Sequence, residues 1–146
     1  MQTPTPGTLE AWTALLVAHR RLTNELDAEL RRGAGMTLDD YDVLYQLRAA
    51  DRALRMSELA GLVLVSRPST TRLVDRLVER GWLRRWNDDV DRRVVRVELT
   101  DAGRQAQARA GRLHLDGITR LVEHPLAGHD VGSVAAALHA LADRAG

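Results

Sequence analysis

Apolar residues recur with a helical period in six stretches of this chain and with a period of two in one pair of short runs. Trp12, Leu15, Leu16, Leu22, Leu26 and Leu30 predict a long helix over residues 9–32, stopped by Gly33 and Gly35. Residues 1–7, with Pro4, Pro6 and Gly7, read as a frayed leader. Thr37 followed by Asp39 and Asp40 predicts the start of a second helix, since acids in a first turn suit the helix dipole. That helix runs to about Ala50, with Leu38, Tyr41, Leu44, Tyr45 and Leu47 inward. Residues 51–55 read as a turn. Residues 56–64 read as a short helix capped by Ser57, burying Leu59, Leu62 and Val63.

The fourth helix starts at Ser66, a good N-cap, and tolerates Pro68 because first-turn N–H groups have no intrahelical acceptor. Leu73, Val74, Leu77 and Val78 form its apolar stripe, while Ser69, Arg72, Asp75, Arg76 and Glu79 fall on the opposite face. Gly81 ends it, and Trp82 is placed to pack back on the helix end. Residues 83–86 and 94–99 alternate as a hairpin should. Thr100 caps a further helix to about Glu123, with Ala106, Ala110, Leu113, Gly117 and Leu121 on one face. Pro125 and Gly128 break it, and residues 131–144 form a last, Ala-rich helix.

Composition sharpens this outline. A 146-residue chain with 45% hydrophobic and 28% charged residues is expected to form one globular domain. It has no Phe, so leucine, valine and alanine must make the core. No cysteine is present, which excludes disulfides and thiolate metal sites. No apolar run is long enough to span a bilayer and no signal-peptide core precedes the first helix, so a cytoplasmic protein is expected.

Net charge is only +1, but it is unevenly placed. Residues 66–96 carry nine Arg against five acids, and the rest of the chain is net negative. All 21 basic residues are Arg. Arg gives bidentate contacts to phosphate and guanine, although a GC-rich genome would produce the same bias. A polar-faced helix followed by a basic hairpin is how a winged helix-turn-helix holds duplex DNA, the helix in the major groove and the hairpin on the backbone or the minor groove.

The residues Ser57-Glu58-Leu59-Ala60, the run from Ser66 to Leu77, Gly81-Trp82-Leu83 and the run from Asp91 to Gly103 together resemble the MarR family, the multiple-antibiotic-resistance regulators. The last run matches the family's wing signature, an Asp and an Arg two apart followed by a strand and Leu-Thr-x-x-Gly. The helical order fits from Leu9 to the C-terminus. The resemblance implies a mainly α fold with a small β-hairpin wing. It implies a single domain over 1–146, in which 37–99 form the winged-helix DNA-binding lobe and 9–32 and 100–146 form dimerisation helices.

The DNA-facing candidates are Ser66, Arg67, Ser69, Thr70, Arg72 and Arg76 on the fourth helix and Arg92 and Arg93 at the wing. Ser66, Arg67, Ser69 and Thr70 sit where a helix N-terminus favours phosphate. Arg72 with Asp75, or Arg76 with Glu79, also has the spacing of an i,i+3 surface pair. By the resemblance, Asp91 orients a neighbouring Arg and leaves Arg93 to enter the minor groove. Asp88 and Asp89 have no such role and are expected to weaken nonspecific binding.

The surplus of apolar residues on the first, fifth and sixth helices predicts a homodimer, in line with the family's two-fold platform. The resemblance also implies a crevice for small, often aromatic anions, lined by position by His19, Tyr41, Tyr45 and Arg48. The five histidines lack the spacing of a metal site, so neither metal nor cofactor is expected. No catalytic constellation stands out, and an enzyme is not expected. The expected function is a transcriptional regulator, a repressor on a pseudo-palindromic operator, with double-stranded DNA and a second copy as partners. A helical module that binds protein or small molecules without DNA is the alternative.

Overall fold

The computed structural model describes residues 3–145. Helix α1 spans Pro6–Ala34, capped by Thr5, whose Oγ1 accepts the Thr8 N–H at 3.2 Å. It therefore starts inside the expected leader. Proline at the first helical position gives up an N–H that had no acceptor, so Pro6 opens the helix instead of excluding it. Met1 and Gln2 lie outside the described residues. Gly35, at φ +64, ends α1.

Helix α2, Leu38–Ala50, opens on a reciprocal cap in which Thr37 Oγ1 accepts the Asp40 N–H and Asp40 Oδ2 accepts the Thr37 N–H, both at 2.9 Å. Tyr41, Leu44 and Leu47 are buried as expected, together with Val43. Tyr45 is not inward: it is 49% exposed. Residues 54–55, expected as part of a turn, form strand β1 (Leu54–Arg55).

Helix α3 spans Met56–Leu62 and is capped two residues earlier than expected, at Arg55 in place of Ser57, with Glu58 accepting the Arg55 N–H at 2.7 Å. Leu59 and Val63, four residues apart, share the inward face and are buried, while Leu62 falls outside that face and is exposed. Helix α4 spans Arg67–Glu79, followed by strands β2 (Leu83–Asn87) and β3 (Val95–Leu99). β3 is central in an antiparallel sheet of order β1-β3-β2, with Leu54 opposite Val97 and Leu83 opposite Leu99. Helix α5, Asp101–Ile118, continues through a π-helical turn over Thr119–Glu123, and α6 spans Val131–Ala145.

One core joins these elements. Leu30 of α1, Leu44 and Leu47 of α2, Leu54, Leu59, Val74, Leu77, Leu83, Val97 and Leu99 pack with Ala106 and Ala110 of α5. Small residues let α5 come close. At Gly117 an added Cβ would lie 2.8 Å from side-chain atoms of Leu26 and Glu29 on α1. Gly103 is more constrained: its Cβ would lie 1.9 Å from the carbonyl oxygen of Trp82. That explains the Thr-x-x-Gly pattern. Thr100 donates its N–H to Trp82 O at 3.1 Å and its hydroxyl to Gly81 O at 2.6 Å, while its Oγ1 accepts the Gly103 N–H at 3.0 Å. The start of α5 is thus stitched to the end of α4, and only a residue without Cβ fits beneath it.

Every α6 side chain from Val131 to Arg144 except the half-buried Val134 is exposed, Leu138 and Leu141 included. Leu9, Trp12 and Leu16 of α1 are exposed as well. Among the described residues, no helix is long and apolar enough to cross a membrane.

Candidate nucleic-acid interface

The outer surface of α4 is set by its N-terminus. Ser66 is the N-cap; its hydroxyl donates to Ser69 Oγ at 2.9 Å and accepts from the Ser69 N–H at 3.4 Å. Arg67, Pro68, Thr71 and Arg72 are exposed in this first stretch and Ser69 is half-buried. Thr70 is not part of that surface. It is fully buried, and its hydroxyl donates back to Ser66 O at 3.0 Å, a bond local to the helix. Helical phase already places Thr70 four residues before Val74, on the inward stripe.

The nine Arg of residues 66–96 divide by partner. Arg76 donates to the carboxylate of Asp40, which is 2% exposed. Its charge is paired with the start of α2, while its side chain stays 48% exposed on the outer face of α4. Arg85 of β2 donates to Asp75 of α4, Arg84 to Glu98 across the sheet, and Arg96 to Asp88 at 2.5 Å. Arg80 donates to Gly35 O at 2.6 Å and stacks on Trp82 with its guanidinium carbon 3.6 Å from the ring centroid. Among the described residues Arg67 and Arg72 have no anionic partner, and Arg72 makes only a 3.5 Å contact with Ser69 Oγ.

The wing between β2 and β3 is a built turn. Asp88 is its centre: Oδ1 accepts the N–H groups of Val90 at 2.9 Å and Asp91 at 3.2 Å, and Oδ2 accepts from Arg96. The Asp88 N–H donates to Val94 O at 2.8 Å, and Asn87 Nδ2 donates to Arg92 O at 2.7 Å. The Arg96 guanidinium, followed by the Val90 and Asp91 N–H groups, holds the Asp88 carboxyl down at about 2. The sequence suggested no role for Asp88; here it shapes the turn. An Asx turn around this aspartate is the signal that could have revealed it.

Asp91 accepts from both the backbone N–H and the Nε of Arg93 at 3.1 Å, and these bonds hold its carboxyl below the usual range. The Arg that Asp91 orients is therefore Arg93 itself, whose side chain remains 91% exposed. Arg92 is exposed and lies 3.8 Å from Asp89.

A second feature lies on the other side of α2. A cavity of about 640 Å³ opens between α1, α2 and α5, lined by His19, Tyr41 and Tyr45 as expected. Arg48 is exposed further along α2 and does not line it. Asp39, Asp42, His114 and Leu64 do, and the sequence reading missed all four. Burial pushes the His114 imidazole below its usual range.

This geometry, a three-stranded sheet with a helix-turn-helix and a stitched wing, defines a winged helix-turn-helix protein. Residues 36–95 match the model of the MarR family. Over that stretch the chain is similar to the family. It is 36% identical over 66 residues to the HTH-type transcriptional regulator PecS of Dickeya dadantii, a match covering 44% of this chain and 40% of PecS. It is 36% identical over 55 residues to the transcriptional repressor MprA of Escherichia coli, covering 38% of this chain and 31% of MprA. The chain thus spans less than half the length of these two relatives. Among solved structures it is similar to Sco3205, a MarR family transcriptional regulator from Streptomyces coelicolor in complex with DNA. That likeness has a TM-score of 0.91 at 29% identity and covers 98% of this chain and 90% of that one.

Proposed function

We propose that this protein is a DNA-binding transcriptional repressor that acts as a homodimer on a pseudo-palindromic operator. One observation carries the reading: Arg67 and Arg72, on the exposed face of α4, have no anionic partner, while the neighbouring Arg side chains are tied up internally. An Arg left free on a helix that projects from a rigid lobe is equipped to meet phosphates and guanine edges. Ser66 and Ser69 stand beside them at the helix N-terminus, where anions are favoured. Arg92 and Arg93 extend from the wing toward the flanking backbone or minor groove. The DNA complex of Sco3205 and the naming of MprA as a repressor support the same reading.

In this reading residues 37–99 are the DNA-reading lobe, and residues 9–32 and 100–146 are the dimerisation helices. The exposed apolar α6, with the exposed Leu9, Trp12 and Leu16 of α1, supports this assignment, because an apolar helix left in water gains by covering itself with a second copy. A small molecule in the cavity beside α2 would shift the lobe and release the operator.

Fluorescence anisotropy of duplexes from the DNA flanking the protein's own gene, with scrambled duplexes beside them at several salt concentrations, tests the reading. Tighter binding to one flanking site than to its scrambled version is expected. Equal or absent binding would favour a helical interaction module.

A further inference from the structure

The cavity between α1, α2 and α5 has an electrostatic character opposite to the one implied by the family resemblance. Among the described residues, no Lys or Arg lines it. Two carboxylates do, those of Asp39 and Asp42. Asp42 has hydrogen-bond donors, the Gln46 amide at 3.1 Å and the Leu64 N–H at 3.0 Å, but no cation. Asp39 has neither an ion pair nor a side-chain hydrogen bond among the described residues. Loss of hydration, with the nearby carboxylates of Asp27, Asp40 and Asp42, raises its carboxyl above the usual range. Arg76 and Arg31, which offset the other acids of this cluster, are spent on Asp40 and Asp27.

Much of the remaining wall is aromatic or aliphatic. Tyr41 and Tyr45 lie with ring centroids 6.2 Å apart, and the His114 ring lies 4.7 Å from Tyr41. Leu38, Leu115 and Ile118 add aliphatic surface, and His19, Thr23 and Gln46 are the other polar groups of the lining. Nδ1 of His114 is buried with no hydrogen-bond partner, a polar atom still waiting for one. An aromatic wall ending in carboxylates that have no ion-pair partner attracts a positive charge both through the carboxylates and through the faces of the tyrosine rings. It disfavours an anion for the same reasons.

We infer that this cavity takes an aromatic organic cation, its ring against the wall formed by Tyr41, Tyr45 and His114 and its charge at Asp39 and Asp42. The assignment names the ligand class for the effector site of the proposed regulator and rests on that reading only for its regulatory meaning. A route to the DNA-binding helix is visible. Leu64 lines the cavity, its N–H is held by Asp42, and it lies two residues before Ser66, the N-cap of α4. A cation at Asp42 draws on the same carboxylate that fixes this turn.

Three probes of one shape separate charge from fit: naphthalene-2-carboxamidinium, the neutral naphthalene-2-carboxamide and the anionic naphthalene-2-carboxylate. Calorimetric titration of the full chain, without DNA, at pH 7.5 and low salt is expected to rank them in that order, with at least a tenfold preference for the amidinium over the carboxylate. Asp39→Asn is expected to stay folded, with a melting temperature lowered by no more than the loss of one first-turn acid from α2 explains, and to reduce that preference several-fold. Equal affinity for cation and anion, unchanged preference in Asp39→Asn, or no binding by any probe would overturn the assignment. A separate anisotropy titration of the operator duplex with and without the amidinium reads the regulatory arm. Failure to bind DNA at all would sink the regulator reading and leave the charge preference standing.

Discussion

The buried carboxylate of Asp40 at the start of α2 receives the guanidinium of Arg76 from α4, 36 residues away. The same aspartate closes the cap with Thr37, so one side chain fixes a helix start and anchors the neighbouring helix. Removing Arg76 leaves Asp40 buried without its cation. Arg76→Ala is therefore expected to lower stability by about 1–3 kcal/mol, measured by urea unfolding. Any loss of DNA affinity in this variant should disappear once the folded fraction is accounted for.

Arg72→Ala tests the opposite case. Its guanidinium supports no ion pair, so stability should change by less than about 0.5 kcal/mol. Binding to the specific duplex should weaken by about 1–3 kcal/mol per half-site, with relaxed sequence preference. Arg93→Ala should instead weaken binding to specific and scrambled duplexes alike and reduce the salt slope by about 1 per lost contact. Wild-type affinity in both variants would mean that α4 and the wing do not meet DNA.

What could and could not be read from the sequence follows this difference. Arg72 and Arg76 occupy equivalent outward positions by helical period, and nothing within a turn of either one names Asp40 as a partner. Ser66, Thr37 and Thr100 were legible because a cap acts over three residues. Strand β1 was not, since two residues have no period and Leu54–Arg55 become a strand only by pairing with Val97 and Arg96. The cavity was half legible: His19, Tyr41 and Tyr45 follow from their helices, whereas His114 and Leu64 arrive from elements distant in sequence.

Gly103→Ala should be among the most damaging single-methyl additions in the chain. The new Cβ would meet a backbone carbonyl, which cannot rotate away as a side chain can. A cost of about 3 kcal/mol is expected, at the upper end of ordinary overpacking. Thermal unfolding of this variant beside Gly61→Ala, where no atom lies within 4 Å of the new methyl, gives the comparison.

The wing should lose its turn in acid. Asp88 has a folded value of about 2 against an ordinary value of 3.8. A depressed carboxyl stabilises the folded form above its ordinary value, and that contribution is lost as pH falls through the folded value. The amide signals of Val90 and Asp91 are therefore expected to shift between about pH 4 and pH 2. In Asp88→Asn they should be perturbed already at pH 7 and lack that transition.

Light scattering at micromolar concentration is expected to give about twice the 16.2 kDa chain mass. Replacing Leu138 and Leu141 on α6 with Glu should return it to the single-chain value without unfolding, because both side chains are exposed within the chain. A wild-type protein of single-chain mass across that range would refute dimerisation through these helices.

The pairing of Asp75 on α4 with Arg85 on β2 has a mechanical consequence. Helix and hairpin also share the core through Val74, Leu77, Leu83 and Val97, so their separation is a fixed gauge and not a pair of independently moving fingers. If the lobe docks as proposed, a duplex must present its major-groove floor and the neighbouring phosphates at that one spacing. Base pairs lying between the two contacts, touched by neither, would then be selected by how readily they twist or narrow to fit the gauge.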